Sequence, residues 1–323
     1  MPDHYPLVSV CMIAYNVEGF IAKAIEGVIQ QKTQFPIELV IGEDCSTDGT
    51  RRICAEYAAQ YSETIKLLPS ETNLGIAGNA SRTLKQCRGE YIAVCDGDDI
   101  WVDPLKLQKQ VEFLDQNPDF GAIYTDVETI SEHGNLTADP EHAEIREQYA
   151  AGDVFFKLLH GNFINNSTAV FRSRLLAGYE IDCDRNYYTH DHLLWLQIAV
   201  QSKIHYWNAK TTHYRKHSGG VTNSEVKRLN NKKKFQFHLY DILLHFDQFR
   251  RRPSNIEERM VIFQKMLSIL YRKENTLKMK ARILGLMPKY FPGVLGLTRI
   301  ILSKIGLPII HTLNDSVLTT NLE

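Results

Sequence analysis

The sequence predicts an α/β fold: a mostly parallel, Rossmann-like sheet with helices on both faces, followed by a C-terminal helical region. Three observations predict it. Short, apolar, β-prone runs alternate with amphipathic helical stretches through the first two hundred or so residues, the pattern of a parallel sheet with covered faces. Two of these runs end abruptly in acids, Glu43-Asp44 and Asp96-Gly97-Asp98-Asp99, and crevices beyond strand ends are where open α/β sheets bind ligands. From about Glu225 the strand-like runs cease and basic residues outweigh acids.

Leu7 to Ala14 reads as a buried strand, and Tyr15-Asn16 leads into a helix with Ile21, Ile25, Val28 and Ile29 on one face. Ile37 to Gly42 is a second strand, Ile53 to Tyr61 a helix and Ile65 to Leu68 a third strand. A helix from Asn73-Leu74-Gly75 to about Cys87 precedes the strand at Tyr91. Asp103-Pro104 is a good N-cap and first residue for a helix marked by Leu107, Val111 and Leu114. Gly121 to Ile130 is strand-like, and the polar stretch Ser131 to Ala151 has no period and reads as a surface loop. A short helix at Val154 to Leu159 and a strand at Ser167 to Phe171 follow. Tyr188 to Ser202 is a helix with Leu193, Leu194, Ile198 and Ala199 on its apolar face, its flanking His190 and His192 being ordinary surface types. Ile204 to Trp207 and Thr211 to Arg215 are short strands.

The 323 residues suffice for one sizeable core with an appendage, or for two modest domains. Six scattered cysteines (Cys11, Cys45, Cys54, Cys87, Cys95, Cys183), none in Cys-x-x-Cys spacing, read as reduced thiols of a cytoplasmic protein. The N-terminus has no signal-peptide pattern, and no charge-free apolar run reaches the ~20 residues that span a bilayer. A formal charge of -1 predicts nothing about partners on its own, and the neutral total hides an acidic front and a basic tail; no nucleic-acid partner is expected.

Asp96, Asp98 and Asp99 cannot all end up buried and unpaired, because each such charge costs several kcal/mol. Hard carboxylate oxygens there suit Mg²⁺ or Mn²⁺, and the ion in turn suits a diphosphate. Gly97 allows a tight turn between the acids. The bland alternative is an acidic turn before a helix. One absence weighs against it: the turn after the first strand, Tyr15-Asn16-Val17-Glu18-Gly19, offers phosphates neither a dinucleotide-type glycine pattern nor a P-loop. A metal on the Asp96–Asp98 pair would neutralise them instead. Asp191, at a helix start, is a separate carboxylate that could serve as a general base.

With these residues the chain resembles a family 2 glycosyltransferase. The resemblance rests on Val8-Ser9-Val10 through Tyr15-Asn16, Glu43-Asp44-Cys45-Ser46-Thr47-Asp48-Gly49-Thr50, Asn73-Leu74-Gly75, and Gly89-Glu90-Tyr91-Ile92 before the acidic cluster. His190-Asp191 with Leu194-Trp195-Leu196, and Tyr214-Arg215-Lys216-His217 with Ser218 and Thr222, continue it to about residue 223. It implies a GT-A fold over residues 1–223, a basic helical region over 224–323, and transfer with inversion from a nucleotide-sugar, UDP-sugar first and dTDP-sugar second. Tyr15 and Asp44 would hold base and ribose, Asn79 and Arg215 further parts of the donor, and Asp96 the ribose and metal. Asp98 would be the direct ligand of Mn²⁺ or Mg²⁺, joined by His217. Asp191 matches the family's base, with His190, Asp99 and Trp101 on the acceptor side. Two departures are His190 in place of the usual glutamate and Gly78 where many relatives carry an arginine.

The implied acceptor is a glycan or lipid-linked glycan of the cell surface. The interrupted apolar run from Leu284 to Ile310, with the basic clusters before it, suits either peripheral contact with the inner face of the plasma membrane or a helical cap on its own core. A sugar-nucleotide pyrophosphorylase would need the missing glycine-rich loop, and a non-catalytic sugar-nucleotide sensor or membrane scaffold would not need both Asp98 and Asp191.

Overall fold

A computed structural model describes residues 7–178, 190–220, 239–240, 242–243, 253–272 and 275–291. It divides into two compact units, one holding the described residues up to 220 and the other those from 239 onward. The boundary expected at 223/224 lies outside the described residues.

In the first unit, β1 (Val8–Ala14), β2 (Ile37–Glu43), β3 (Ile65–Pro69) and β4 (Tyr91–Val94) alternate with α1 (Ile21–Ile29), α2 (Thr50–Gln60) and α3 (Gly75–Leu84). β5 (Ile100–Trp101), α4 (Lys106–Gln116), β6 (Phe120–Ser131), α5 (Pro140–Arg146), α6 (Phe155–His160), β7 (Val170–Arg172), α7 (His190–Gln201) and β8 (Lys203–Lys216) follow. The strands form one sheet in the order β3-β2-β1-β4-β7-β6-β8-β5.

The β1–β2, β1–β4, β2–β3 and β6–β8 pairings are parallel, whereas β4–β7, β6–β7 and β5–β8 are antiparallel. The expectation of a mostly parallel sheet therefore holds for the first half and gives way to a mixed second half. Because β7 is reversed relative to both neighbours, the two reversals cancel. β6 and β8 thus run in the direction of β4, and the carboxyl ends of β1, β2, β3, β4, β6 and β8 open on one edge.

Side-chain alternation along β1 explains why helices cover both faces. Val8, Val10 and Met12 share a core with Ile21, Ile25 and Val28 of α1 and Leu107, Val111 and Leu114 of α4. On the other face, Cys11 and Ile13 line a small cavity with Ala80 and Leu84 of α3 and Leu194 of α7.

Several local expectations need correction. Within Ser131 to Ala151 the chain turns back to bridge Ile130 with Leu136 and then forms α5. Asp139 caps α5 by accepting the His142 N–H (3.2 Å), and Pro140 is its first residue, a start signal outweighed by the lack of apolar period. Ser167 lies in a 3₁₀ turn (Asn166–Thr168), so β7 begins only at Val170. The two short strands after α7 are one, β8, irregular where it passes Thr125 to Val127. Asp103 folds an Asx turn onto the Leu105 N–H (2.9 Å), and α4 starts at Lys106. His192 is buried, its Nε2 2.7 Å from the Leu158 carbonyl.

The second unit includes α8 (Ile256–Tyr271) and α9 (Leu277–Tyr290), in contact with each other and capped by Asn255 and Thr276. Met266, Ile269, Ile283 and Met287 are buried, and the Phe263 and Phe291 rings meet edge to face at 5.3 Å. Among the described residues no helix is long and apolar enough to cross a membrane.

Candidate functional site

The site is the edge where the strand ends converge. At β1 and β2, two turns are cross-linked by side chains. Asn16 (φ 51°) donates its N–H to Ser46 Oγ (3.1 Å) and accepts the Thr47 N–H on its Oδ1 (2.8 Å). The Glu18 N–H reaches Asp48 (3.1 Å), and Glu18 Oε2 accepts the Gly49 N–H (2.6 Å). Tyr15, which opens the first of these turns, is 45% exposed. Asp44 is buried, takes the Leu74 N–H on Oδ1 (2.8 Å) and so ties β2 to the start of α3. Asn79 is buried too: its Nδ2 donates to the Gly42 carbonyl (2.7 Å) and its Oδ1 accepts from Arg82 (2.9 Å).

The acidic loop leaves β4 against the end of β1. The Gly97 N–H donates to the Ile13 carbonyl (3.1 Å), and a Cβ at Gly97 would lie 3.0 Å from that oxygen and 3.0 Å from Ile21 Cδ1. Close approach to β1, rather than a left-handed backbone, is what requires glycine here.

The three aspartates then diverge. Asp96 is half-buried, both its oxygens 3.4 Å from Asn166 Nδ2. Burial, then the carboxylates of Asp98 and Asp191, push its pKa up to about 7 against the opposing Asn166 amide. Asp98 Oδ2 lies 3.0 Å from His217 Nε2. Asp99 turns inward and is 2% exposed; it accepts the Arg215 N–H (3.0 Å) and bonds the Ser167 hydroxyl. Burial, then Asp98 and Asp96, hold it well above the usual carboxylate range. Trp101 is likewise internal, its Nε1 donating to the Ser167 carbonyl (2.6 Å) and its ring 4.2 Å beneath Lys106 Nζ. Neither Asp99 nor Trp101, expected on the acceptor side, faces the open edge in this conformation.

Arg215 is 4% exposed. Its Nε donates to the Asp98 carbonyl (3.0 Å), and its Nη1 to the carbonyls of Ser131 and Glu132 (3.1 Å each). Asp191, in the first turn of α7, is partly exposed and accepts from Asn162 Nδ2 (2.8 Å) on Oδ2. His190 opens α7, and its side chain lies outside the described residues.

The expected residues Tyr15, Asp44, Asp96, Asp98, His217 and Asp191 thus gather on one edge, where Leu194 of α7 lines a small cavity with Asp96, whereas Asn79 and Arg215, expected to touch the donor, are buried on main-chain carbonyls. Among the described residues no three His, Cys, Asp or Glu side chains form a ready metal cage. Asp98 and His217 do stand together at 3.0 Å, an oxygen and a nitrogen donor of the kinds that Mg²⁺ or Mn²⁺ takes when water and substrate phosphates complete its shell. Asp96, half-buried with only the Asn166 amide on its carboxylate oxygens at 3.4 Å, next to the Asp98 carboxylate two residues on, is the feature a cation would offset.

Asn162, Asn166 and Ser167 were not singled out by sequence reasoning, although each touches an acid of the site. The polar run Asn165-Asn166-Ser167-Thr168 before an apolar strand was the available signal, since such residues turn the backbone through their side chains.

The family model described as Glycosyl transferase family 2 matches residues 9–177. An uncharacterized protein of Mycobacterium tuberculosis (strain ATCC 25618 / H37Rv) is 36% identical over 216 residues, 67% of this chain and 60% of its own. The chain thus spans about 60% of that relative's length. The Escherichia coli UDP-Glc:alpha-D-GlcNAc-diphosphoundecaprenol beta-1,3-glucosyltransferase WfgD is 29% identical over 229 residues, 70% of this chain and 83% of its own. Among solved structures, the mannosyltransferase PcManGT of Pyrobaculum calidifontis, in complex with GDP-Man and Mn²⁺, superposes with a TM-score of 0.57 at 17% identity, covering 94% of this chain and 81% of that one.

Proposed function

The chain belongs to glycosyl transferase family 2, and from that premise we propose that it moves a sugar from a nucleotide-sugar, UDP-sugar first, to an acceptor hydroxyl with inversion at the anomeric carbon. The observation that carries this reading is the meeting of two kinds of carboxylate on one sheet edge. Asp96 and Asp98 follow the end of β4, and Asp191 lies in the first turn of α7, whose Leu194 lines one small cavity with Asp96 and Asn166.

In this reading the exposed Tyr15 ring receives the base, and Asp44, fixed by the Leu74 N–H, faces the ribose. Asp96, Asp98 and His217 would hold Mn²⁺ or Mg²⁺. When bound, such an ion offsets the charge that builds on the leaving diphosphate. Asp191 removes the proton from the attacking hydroxyl, its carboxylate aimed by Asn162. His190, beside it in sequence, is proposed to contact the acceptor. PcManGT is a mannosyltransferase solved with GDP-Man and Mn²⁺, and WfgD names a UDP-sugar donor and a diphosphoundecaprenol-linked acceptor; both support the class of reaction. Cell-surface glycan synthesis, on a glycan or lipid-linked acceptor, is the corresponding role.

The test is release of free nucleoside diphosphate from a panel of UDP-, dTDP- and GDP-sugars, with and without Mn²⁺. Metal-dependent release from one donor is expected. Full turnover in excess chelator would remove the metal from the proposal, and no release from any donor would leave a non-catalytic binding protein.

The basic C-terminal region is proposed to rest against an anionic membrane surface at the cytoplasmic face, supported by its Lys and Arg clusters. Each such residue near the surface contributes about 1 kcal/mol, screened by salt. Vesicles with anionic lipid should sediment the protein at low salt and release it at high salt. Equal binding to neutral vesicles, or none to either, would overturn this and return the region to an ordinary helical cap.

A further inference from the structure

Arg215 lies at the end of β8 and His217 just past it, and both grip Asp98. His217 holds the carboxylate (Nε2 to Oδ2, 3.0 Å), while Arg215 holds the backbone carbonyl (Nε, 3.0 Å). The same guanidinium reaches the carbonyls of Ser131 and Glu132, where β6 turns into the following hairpin (3.1 Å each). It lies 4.8 Å from the centroid of Phe20, and that ring meets His217 edge-on at 4.7 Å. Lys216, between them, pairs with Asp139 (2.7 Å). An arginine expected among the donor contacts thus gives its Nε and Nη1 to main-chain oxygens of its own protein.

We infer that Arg215 is a positioning residue: it fixes the Asp98 carboxylate for the cation by clamping the acidic loop to the end of β6, and does not itself hold the diphosphate. This rests on the reading of Asp98 as a cation ligand. A planar fork can satisfy the Asp98 carbonyl and the 131–132 carbonyls together, which a lysine ammonium cannot do in the same geometry. The main-chain bond from the Arg215 N–H to Asp99 and the β5–β8 pairing survive a side-chain change, so the loop remains in place but less exactly held.

The experiment compares wild type with Arg215→Lys. Mn²⁺ binding in the presence of UDP is followed by electron paramagnetic resonance, and UDP affinity at saturating Mn²⁺ by calorimetry. The clamp predicts Mn²⁺ binding weakened about tenfold, UDP affinity at saturating metal changed less than about twofold, and faster amide exchange confined to residues 97–99 and 131–133. A tenfold or larger loss of UDP affinity at saturating Mn²⁺ would make Arg215 a diphosphate ligand and overturn the inference, as would wild-type Mn²⁺ binding. Should Arg215→Lys not fold, Phe20→Leu removes the ring beneath the guanidinium; because that ring also meets His217, Mn²⁺ binding is read together with amide exchange at residues 131–133, which Arg215 holds, and unchanged exchange there overturns the inference equally. Wild-type protein that binds UDP with no response to Mn²⁺ would instead overturn the metal reading, and this inference with it.

Discussion

His217 Nε2 lies 3.0 Å from Asp98 Oδ2, joining residues 119 positions apart in the chain. The contact brings the end of β8 onto the loop that leaves β4, and it defines the face on which the proposed cation and donor would lie. Asp191 lies in the first turn of α7, whose Leu194 lines a small cavity with Asp96.

The two kinds of carboxylate should separate in kinetics. Asp191→Asn is expected to lower turnover by roughly 10²- to 10⁴-fold while sparing nucleotide affinity, as for a general base. Asp98→Asn should weaken metal-dependent nucleotide binding as well as turnover. Calorimetry with UDP and product formation, measured on both variants, check this. Near-normal turnover in Asp191→Asn would pass the role of base to another group.

A proton should compete with the cation at Asp96. Its pKa, raised to about 7, means that about tenfold less of the carboxylate is ionised at pH 6 than at pH 8. Mn²⁺ affinity should fall by about that factor between pH 8 and pH 6. The same shift bears on metal-free stability. A carboxyl raised in the folded state contributes stability fully below its ordinary value of 3.8 and loses it as pH rises through about 7. Asp96→Asn should flatten that part of the pH profile of thermal unfolding and abolish the pH step in Mn²⁺ binding.

Gly97→Ala should destabilise the fold by about 1–3 kcal/mol, the usual range for overpacking. The added Cβ would press on the Ile13 carbonyl, which is backbone and cannot swing away. Urea unfolding measures the loss, and a wild-type midpoint would show that the loop can shift at little cost.

Lys106 has no exposed surface, and its Nζ bonds Gln110 Oε1 (2.7 Å). Burial pushes its pKa down to about 7, with Cys95 and Asp103 opposing. Since the folded value is depressed, the unfolded chain binds more protons above pH 7, and stability from this group rises with pH toward 10. Lys106→Met should therefore flatten the rise between pH 7 and 9.5, before tyrosines titrate. Parallel profiles for variant and wild type would assign the slope elsewhere.

The strands up to β4, and the acids that end two of them, were legible, because β-branched apolar runs cut off by Asp and Glu are a local pattern. What joins those acids was not. Arg215 meets Asp98 and Asp99 across more than a hundred residues, and no local spacing encodes that contact. The inward turn of Asp99 and Trp101 was hidden for the same reason: both are held by Ser167, whose place depends on β7 entering antiparallel beside β4. α5 escaped because it buries only His142, so its sequence carries a cap but no period.

The cross-linked turns after β1 and β2 bear on the thermodynamics of nucleoside docking. Side chains of Asn16, Glu18, Ser46 and Asp48 already fasten each turn to the other. Rotamers restrained before a ligand arrives need not be restrained again, and each immobilised side chain otherwise costs about 0.5–1.5 kcal/mol. On the proposed reading, the ordering loss in this lip falls chiefly on the exposed Tyr15 ring. Nucleoside binding should then carry a small entropic penalty, and loosening the lip with Asn16→Ala should make that penalty larger before it changes any contact with the base.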